Sequence, residues 1–165
     1  MSRIKKIVFA ALAAAALTGA AGAVHLDRPV QGSSSVSAGI QSSSAVSEVI
    51  RLTNSARSQN GYAALVEDSA LSEAAAVRAR EIARSFSHTR PSGGSFSSAL
   101  SENGVSYLRA GENIASGQKS ASEVVNAWMN SPGHRANILN SGYSRIGSAS
   151  VNIDGTLYWV QLFAD

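Results

Sequence analysis

Two β-rich runs close the chain and are separated only by Asp154-Gly155. They cover Arg145 to Ile153 and Thr156 to Phe163, and Asp-Gly between such runs is a strong signal for a two-residue hairpin turn. The helical patterns in the chain precede this hairpin rather than alternating with strands. That order favours an α+β layered sandwich over a doubly wound fold.

Helical periodicity predicts two helices early in the folded part. Apolar residues recur at helical spacing from Val46 until Asn60-Gly61 ends the pattern, and a second stripe runs from Leu71 to Phe86. Asp68 or Ser69 can cap the second helix, and its many alanines predict close packing against a neighbour. We expect its solvated face to consist of Arg78, Arg80, Glu81 and Arg84.

Three shorter helices are predicted after a loop at residues 87–94. They cover Phe96 to Glu102, Ser120 to Asn130, and a segment that runs to about Leu139. Ser131 is the expected cap of the last helix, with Pro132 at its first position. Residues 105–117 are expected to be irregular or briefly extended, and the core is expected to contain Trp128, Tyr158, Trp159 and Phe163.

The N-terminus has the three-part layout of a secretory signal peptide. Basic residues at positions 3, 5 and 6 precede an alanine-rich apolar run, and the small triplet Ala21-Gly22-Ala23 follows it. We predict a signal peptide at residues 1–23. A membrane anchor is the alternative, but the run is short and weakly apolar, so the mature form should have no membrane span. The expected location is extracellular, or periplasmic in a Gram-negative organism.

Residues 24–45 are rich in serine and glycine and are predicted to be a flexible linker. The remaining residues, 46–165, are long enough to form one core without disulfides, and we expect this domain to be monomeric. The net charge of +3 disappears when the three basic residues of the leader are removed. This balance argues against a nucleic-acid partner.

With no cysteine in the chain, histidine, carboxylate and hydroxyl groups remain for chemistry. His88 follows the second helix, Glu112 lies between glycines, and His134 starts the last helix, whereas His25 lies in the linker. Two imidazoles and one carboxylate form the ligand set of an open zinc site. Ordinary hydrogen-bonded polar residues are the alternative, since no two of the three have zincin spacing.

Several motifs together resemble the bacterial branch of the CAP superfamily, which includes cysteine-rich secretory proteins, antigen 5 and plant pathogenesis-related proteins. They are Ser87-His88-Thr-Arg-Pro91, Gly111-Glu112-Asn-Ile-Ala115, Ala127-Trp128-Met-Asn-Ser-Pro-Gly-His134-Arg-Ala-Asn-Ile-Leu139, Ile146-Gly147 and Tyr158-Trp159-Val-Gln161-Leu-Phe163. The order and spacing agree over about 115 residues. The combination is specific, although no single motif is.

The resemblance implies a three-layer α-β-α sandwich with a surface cleft lined by two histidines and two acids, which sometimes holds a divalent cation such as zinc. Carried over by motif, the histidines are His88 and His134, and one acid is Glu112. Eukaryotic members place the second acid three residues after the tryptophan, where this chain has Ser131. Glu123 is the nearest substitute, although Ser120-Ala-Ser-Glu123 also matches a capping box.

Three functions follow as hypotheses. The first is a secreted, non-enzymatic module that binds a lipid, a sterol-like molecule or a cell-envelope component, because several relatives bind such ligands. The second is a metal-assisted hydrolase in which His88 and His134 hold zinc while Glu112 ligates or deprotonates a bound water. The third is a structural or interaction module. A serine hydrolase has little support, since no nucleophile elbow accompanies Ser87.

Overall fold

The computed structural model describes residues 37–165, with side chains from residue 44 onward. This part of the chain forms five helices and four strands. In chain order they are α1 (Ser37–Gln59), β1 (Val66–Glu67), α2 (Ser69–Arg84), α3 (Ser97–Glu102), β2 (Ala110–Ser116), α4 (Ala121–Met129), α5 (Pro132–Ile138), β3 (Arg145–Ile153) and β4 (Thr156–Ala164). None of the described helices is both long and apolar enough to cross a membrane.

The four strands form one mixed sheet in the order β1-β3-β4-β2. β3 and β4 pair antiparallel from Arg145 opposite Ala164 to Ile153 opposite Thr156, which confirms the predicted hairpin. Asp154 and Gly155 both have positive φ angles, 50° and 82°. A hairpin turn with two such residues continues the twist of its strands, which explains the Asp-Gly sequence.

β2 is more regular than the sequence predicted. Residues 105–117 were expected to be irregular or briefly extended, yet Ala110–Ser116 pairs with β4 along its whole length. Its glycine, glutamate and asparagine are weak strand formers. The strand therefore depends on the hydrogen bonds and packing that β4 supplies, which a local pattern does not reveal.

Helices cover both faces of the sheet, so the predicted three-layer α+β sandwich is confirmed. On one face α2 and α3 pack against a cluster that includes Ile114, Val160 and Leu162. On the other face α1, α4 and α5 surround a second cluster that contains Trp128, Trp159 and Phe163. These three aromatic residues are buried as expected, and Tyr158 is partly buried against the first cluster.

The predicted close packing of α2 occurs against β3. Ala74, Ala75 and Ala79 are buried, and the helix backbone crosses Gly147. A Cβ atom on Gly147 would lie 2.2 Å from the backbone carbonyl carbon of Leu71. Only glycine fits this crossing without moving the helix.

One expectation for α2 is confirmed, and two others are wrong in part. Asp68 caps the helix as predicted, by accepting hydrogen bonds from the backbone N–H groups of Ala70 and Leu71. The expected solvated face, however, includes two buried residues, Arg78 and Glu81, because they pair with charged partners inside the protein. Phe86 is 54% exposed because the helix ends before it, at Arg84.

α1 begins at Ser37, within the segment that was predicted to be a flexible linker. Residues 37–45 are therefore helical. They extend a helix that is anchored further along by buried residues such as Val49 and Thr53, and a helix once started propagates at low cost. The signal peptide prediction for residues 1–23 and the linker prediction for residues 24–36 lie outside the described residues, and the domain boundaries stay predictions.

Candidate functional site

Glu112 and Asn113 are neighbours on β2 and point to opposite layers of the sandwich. Successive side chains of a strand alternate between faces. Glu112 therefore points toward α2, where it contacts Arg78, and Asn113 points toward α5 and β4, where it contacts His134 and Gln161. The edge strand thus serves two separate sets of polar side chains.

The Glu112 carboxylate is fully buried, and both of its oxygens are within hydrogen-bond distance of protein partners. Its Oε2 accepts a hydrogen bond from Arg78 Nε at 2.7 Å, and its Oε1 accepts one from Arg78 Nη2 at 3.3 Å. Oε1 also lies 2.8 Å from Nδ1 of His88. Both oxygens therefore have protein partners.

Arg78 belongs to a group that we call the ionic cluster, consisting of Arg78, Glu81, Arg90, Glu102 and Glu112. Arg78 Nη1 lies 2.6 Å from Glu81, whose carboxylate also binds Arg90 at 2.8 Å. Arg90 reaches Glu102 at 2.6 Å, which connects the cluster to α3. The cluster ties the loop between α2 and α3 to both helices and to the sheet.

The charges of the ionic cluster stabilise one another. Burial alone would lower the pKa of Arg78, but its hydrogen bonds to Glu112 and Glu81 outweigh burial and raise the pKa. Burial would likewise raise the pKa of Glu81, yet the hydrogen bonds from Arg90 and Arg78 lower it below its usual value. The charged forms of Arg78 and Glu81 are therefore favoured in spite of burial.

His88 stands at the surface end of the ionic cluster. Its side chain is 56% exposed, although its partner Glu112 is buried. Its backbone lies in a compact loop, in which the Phe96 N–H donates to the His88 carbonyl. In the same loop Thr89 and Ser95 form an isolated antiparallel β-bridge. When the neutral ring donates from Nδ1 to the carboxylate, Nε2 keeps its lone pair.

His134 lies in the first turn of α5 and is half-buried. Burial lowers its pKa, and the neighbouring His88 adds to that effect. His134 thus lies within electrostatic range of His88. His88 in turn is in direct contact with Glu112.

The second polar group, which we call the amide cluster, consists of Thr53, Asn113, Asn137 and Gln161. Asn113 Nδ2 donates to the His134 carbonyl and to Gln161 Oε1, each at 3.2 Å. Asn137 donates to Asn113 Oδ1 at 2.9 Å, and Gln161 donates to Thr53 Oγ1 at 2.6 Å. This chain of neutral groups connects α1, the sheet and α5, and so holds the backbone of His134.

Side chains also cover the outer edge of β2. Asn137 Nδ2 donates to the carbonyl of Glu112 at 3.1 Å, and Trp128 Nε1 donates to the carbonyl of Ile114 at 3.3 Å. Exposed backbone groups on an edge strand would invite pairing with another chain. These two contacts block such pairing next to the histidines.

Glu123 makes the hydrogen bonds of a helix cap. Its backbone N–H donates to Ser120 Oγ at 3.1 Å, and its carboxylate accepts from the Lys119 N–H at 2.9 Å. The side chain is exposed, and these contacts explain it without a role in the cleft. Ser131 occupies the predicted cap position of α5, although its side chain makes no capping hydrogen bond.

The three suggested residues do not fit a metal site as they are arranged. Among the residues whose side chains are described, no three histidine, aspartate or glutamate residues are grouped so that they could hold a metal ion. Glu112 has both oxygens committed to Arg78 and His88. In this arrangement the carboxylate is engaged by an arginine and an imidazole.

Sequence reasoning missed Arg78 and the amide cluster. A signal for Arg78 was present, because it lies seven residues after Leu71 and four before Ile82, and so falls within the apolar stripe of α2. A charged residue at an inward position indicates a buried partner. Asn113 and Gln161 carry no comparable signal, since their pairing depends on the register of β2 with β4.

Two hollows lie next to α4 and α5. One has a volume of about 460 Å³ and is lined by Met129, Asn130, Pro132, Arg135, Ala136 and Leu139. The other has a volume of about 260 Å³, lies between α1 and α4, and shares Met129 with the first. Neither is lined by His88, Glu112 or His134. These two hollows and the histidine site are therefore different places.

Comparison with known proteins gives matches over most of the chain. Among curated sequences, the uncharacterized protein YkwD of Bacillus subtilis is 42% identical over 118 residues, which cover 70% of this chain and 45% of the relative. This chain thus spans less than half of that relative's length.

Solved structures match as well. An extracellular protein containing a SCP domain from Bacillus anthracis aligns with a TM-score of 0.68 and 27% identity, over 74% of this chain and 41% of that one. An outer surface protein from Borrelia burgdorferi aligns with a TM-score of 0.69 and 25% identity, over 74% of this chain and 92% of that one. A family model described as CAP, the cysteine-rich secretory protein family, matches residues 50–163. The chain belongs to this family.

Proposed function

We propose that the protein is a non-enzymatic binding module that works outside the cytoplasm and holds an amphipathic lipid. The observation that carries this proposal is the hollow of about 460 Å³ beside α5. Its volume falls in the range of small-ligand sites, which are concave and mostly apolar with a few polar groups. The histidine site, by contrast, offers no apolar wall among the contacts described above.

The chemistry of the hollow favours a single-chain lipid with an acidic headgroup. Met129, Pro132, Ala136 and Leu139 provide apolar lining, and Met129 continues into the second hollow toward Leu52 and Val125. Arg135 is exposed at the rim, and its hydrogen bond to Asn60 is long, at 3.3 Å. A guanidinium with such a weak partner can bind a carboxylate or phosphate.

The proposed location rests on the N-terminal sequence and on the relatives. Residues 1–23 have the layout of a secretory signal peptide. The two structural relatives are described as an extracellular protein and as an outer surface protein. A lipid or another envelope component is the class of ligand that such a location offers.

The proposal is tested by calorimetric titration of the purified protein with a saturated long-chain fatty acid. We expect saturable binding that weakens about tenfold or more in Ala136→Glu, equivalent to about 1.4 kcal/mol, because the new carboxylate lies against the lipid chain. Arg135→Gln should weaken binding less. Ala127→Glu is the matched control, since Ala127 is also exposed but lines neither hollow.

Two outcomes would count against lipid binding. Wild-type protein that takes up no fatty acid in a saturable manner would remove the proposal. Equal weakening in Ala136→Glu and Ala127→Glu would place binding elsewhere on the surface.

A second candidate function is favoured by the contact of 2.8 Å between His88 and Glu112. A carboxylate that orients an imidazole is typical of a general base. In this alternative Nε2 of His88 would accept a proton from a water molecule. The deprotonated water would then attack an ester. Turnover of a p-nitrophenyl ester that is lost in His88→Gln would support the alternative, whereas unchanged turnover in that variant would exclude it.

A purely structural role predicts that replacing both histidines alters neither lipid binding nor turnover.

A further inference from the structure

Arg78 supports His88 indirectly, through two of its neighbours. Through Nε and Nη2 it binds the carboxylate of Glu112, which holds the imidazole ring. Through Nη2 it also donates to the backbone carbonyl of Ser87, the residue directly before His88, at 2.7 Å. One buried guanidinium therefore fixes both the ring's partner and the backbone that carries the ring.

We propose that Arg78 is a positioning residue for His88, which sets the tautomer of the neutral imidazole and the direction of the ring. Arginine offers only donors, and an ionised carboxylate offers only acceptors. With Arg78 on one side of Glu112, the remaining acceptor capacity of Oε1 faces His88, so Nδ1 carries the hydrogen. Nε2 then keeps its lone pair for whatever enters the site.

The geometry requires arginine in particular. Arg78 uses three nitrogens to reach Glu112, Glu81 and the Ser87 carbonyl at the same time. A planar guanidinium presents its donors in a fixed fork, whereas an ammonium group is a compact point charge on a flexible stem. Lysine would keep the positive charge but could not donate to all three partners in the same geometry.

The test is ¹⁵N NMR of the histidine rings at alkaline pH, which distinguishes the two tautomers of a neutral imidazole. In the wild-type protein we expect His88 to carry its hydrogen mainly on Nδ1. In Arg78→Lys we expect a shift toward the Nε2–H form. Arg145→Lys is the matched control, because Arg145 also binds a carboxylate and backbone carbonyls but lies in a different network. It should leave the His88 tautomer unchanged.

Two further variants keep the proposal testable if Arg78→Lys does not fold. In Glu112→Gln the donors of Arg78 should take the amide oxygen, so that the amide NH₂ faces His88 and the ring changes to the Nε2–H tautomer. Glu81→Gln weakens the ionic cluster but leaves the contacts of Arg78 with Glu112 and Ser87, so it should reduce stability without changing the tautomer.

Three results would overturn the proposal. They are a wild-type ring with its hydrogen mainly on Nε2, a Glu112→Gln ring that stays in the Nδ1–H form, and a folded Arg78→Lys protein with an unchanged tautomer. The readout needs no ligand. Failure of the lipid proposal and failure of this inference are therefore distinguishable.

Discussion

The two histidines of the site are held by clusters of opposite character that meet at neighbouring residues of β2. His88 is attached through Glu112 to the ionic cluster, whereas the backbone of His134 is held by Asn113 and the amide cluster. The ionic cluster holds the imidazole ring of His88, whereas the amide cluster holds the backbone of His134. The exposed imidazole is thus oriented by charge, and the half-buried one is placed by neutral hydrogen bonds.

The clusters should differ in how they respond to the loss of one member. The ionic cluster contains two guanidinium groups and three carboxylates. Removing Arg78 leaves the buried carboxylate of Glu112 without its arginine partner. Amides offer both donors and acceptors, so a lost amide leaves at most a few unpaired neutral atoms. Buried charge without a partner costs more than a buried neutral group without one.

The largest expected effect is that of Arg78→Met. The variant leaves Glu112 and Glu81 buried without their shared guanidinium, and we expect the free energy of unfolding to fall by about 3–5 kcal/mol. Urea unfolding followed by circular dichroism measures this change. Arg145→Met, which breaks a partly exposed ion pair with Asp68, should lower stability much less. Equal losses in the two variants would show that the ionic cluster stabilises the fold no more than the ion pair between Arg145 and Asp68 does.

A smaller effect is expected from Asn113→Ala on the other side of the strand. It removes hydrogen bonds to the His134 carbonyl, Gln161 and Asn137, and we expect a loss of about 1–3 kcal/mol. The same unfolding measurement applies, with Asn130→Ala as the control because Asn130 is exposed. A loss as large as that of Arg78→Met would contradict the contrast between the clusters.

A dependence on pH should arise at His134. Because burial lowers its pKa in the folded state, the unfolded chain binds the proton more readily. This contribution to stability is complete above the ordinary imidazole pKa, about 6.5, and is lost as the pH falls through that value and below it. We expect His134→Gln to reduce the loss of unfolding free energy between neutral and mildly acidic pH. An identical pH profile in the variant would show that His134 is not destabilised when it is charged.

The sequence was sufficient for those features that depend on local pattern. Asp154-Gly155 identified the hairpin, and Asp68 identified the start of α2. The motifs around His88 and Glu112 identified two side chains that are in contact. Each of these depends on a turn, a cap or a motif within a few residues. The family match then confirmed the fold.

The features that were missed depend on contacts between distant segments. Arg78 was assigned to a solvated face because its charge suggested water, whereas its partner Glu112 lies 34 residues away in sequence. Gln161 donates a hydrogen bond to Thr53, which lies 108 residues away in sequence. The contact of Glu112 with Arg78 was missed for the same reason, since this arginine lies outside the motif that contains Glu112.

The smallest expected effect is that of Glu123→Gln, and it tests whether a further acid belongs to the site. Its carboxylate binds the Lys119 N–H near the start of α4, where a negative charge adds roughly 0.5 kcal/mol. We expect a stability loss of that order in urea unfolding. NMR titration should show the same pKa for His134 in the variant and in the wild-type protein, because a cap on the surface of α4 belongs to neither cluster. A changed His134 titration would mean that Glu123 acts on the imidazoles, and the contrast between one ionic and one neutral support would then have to include Glu123.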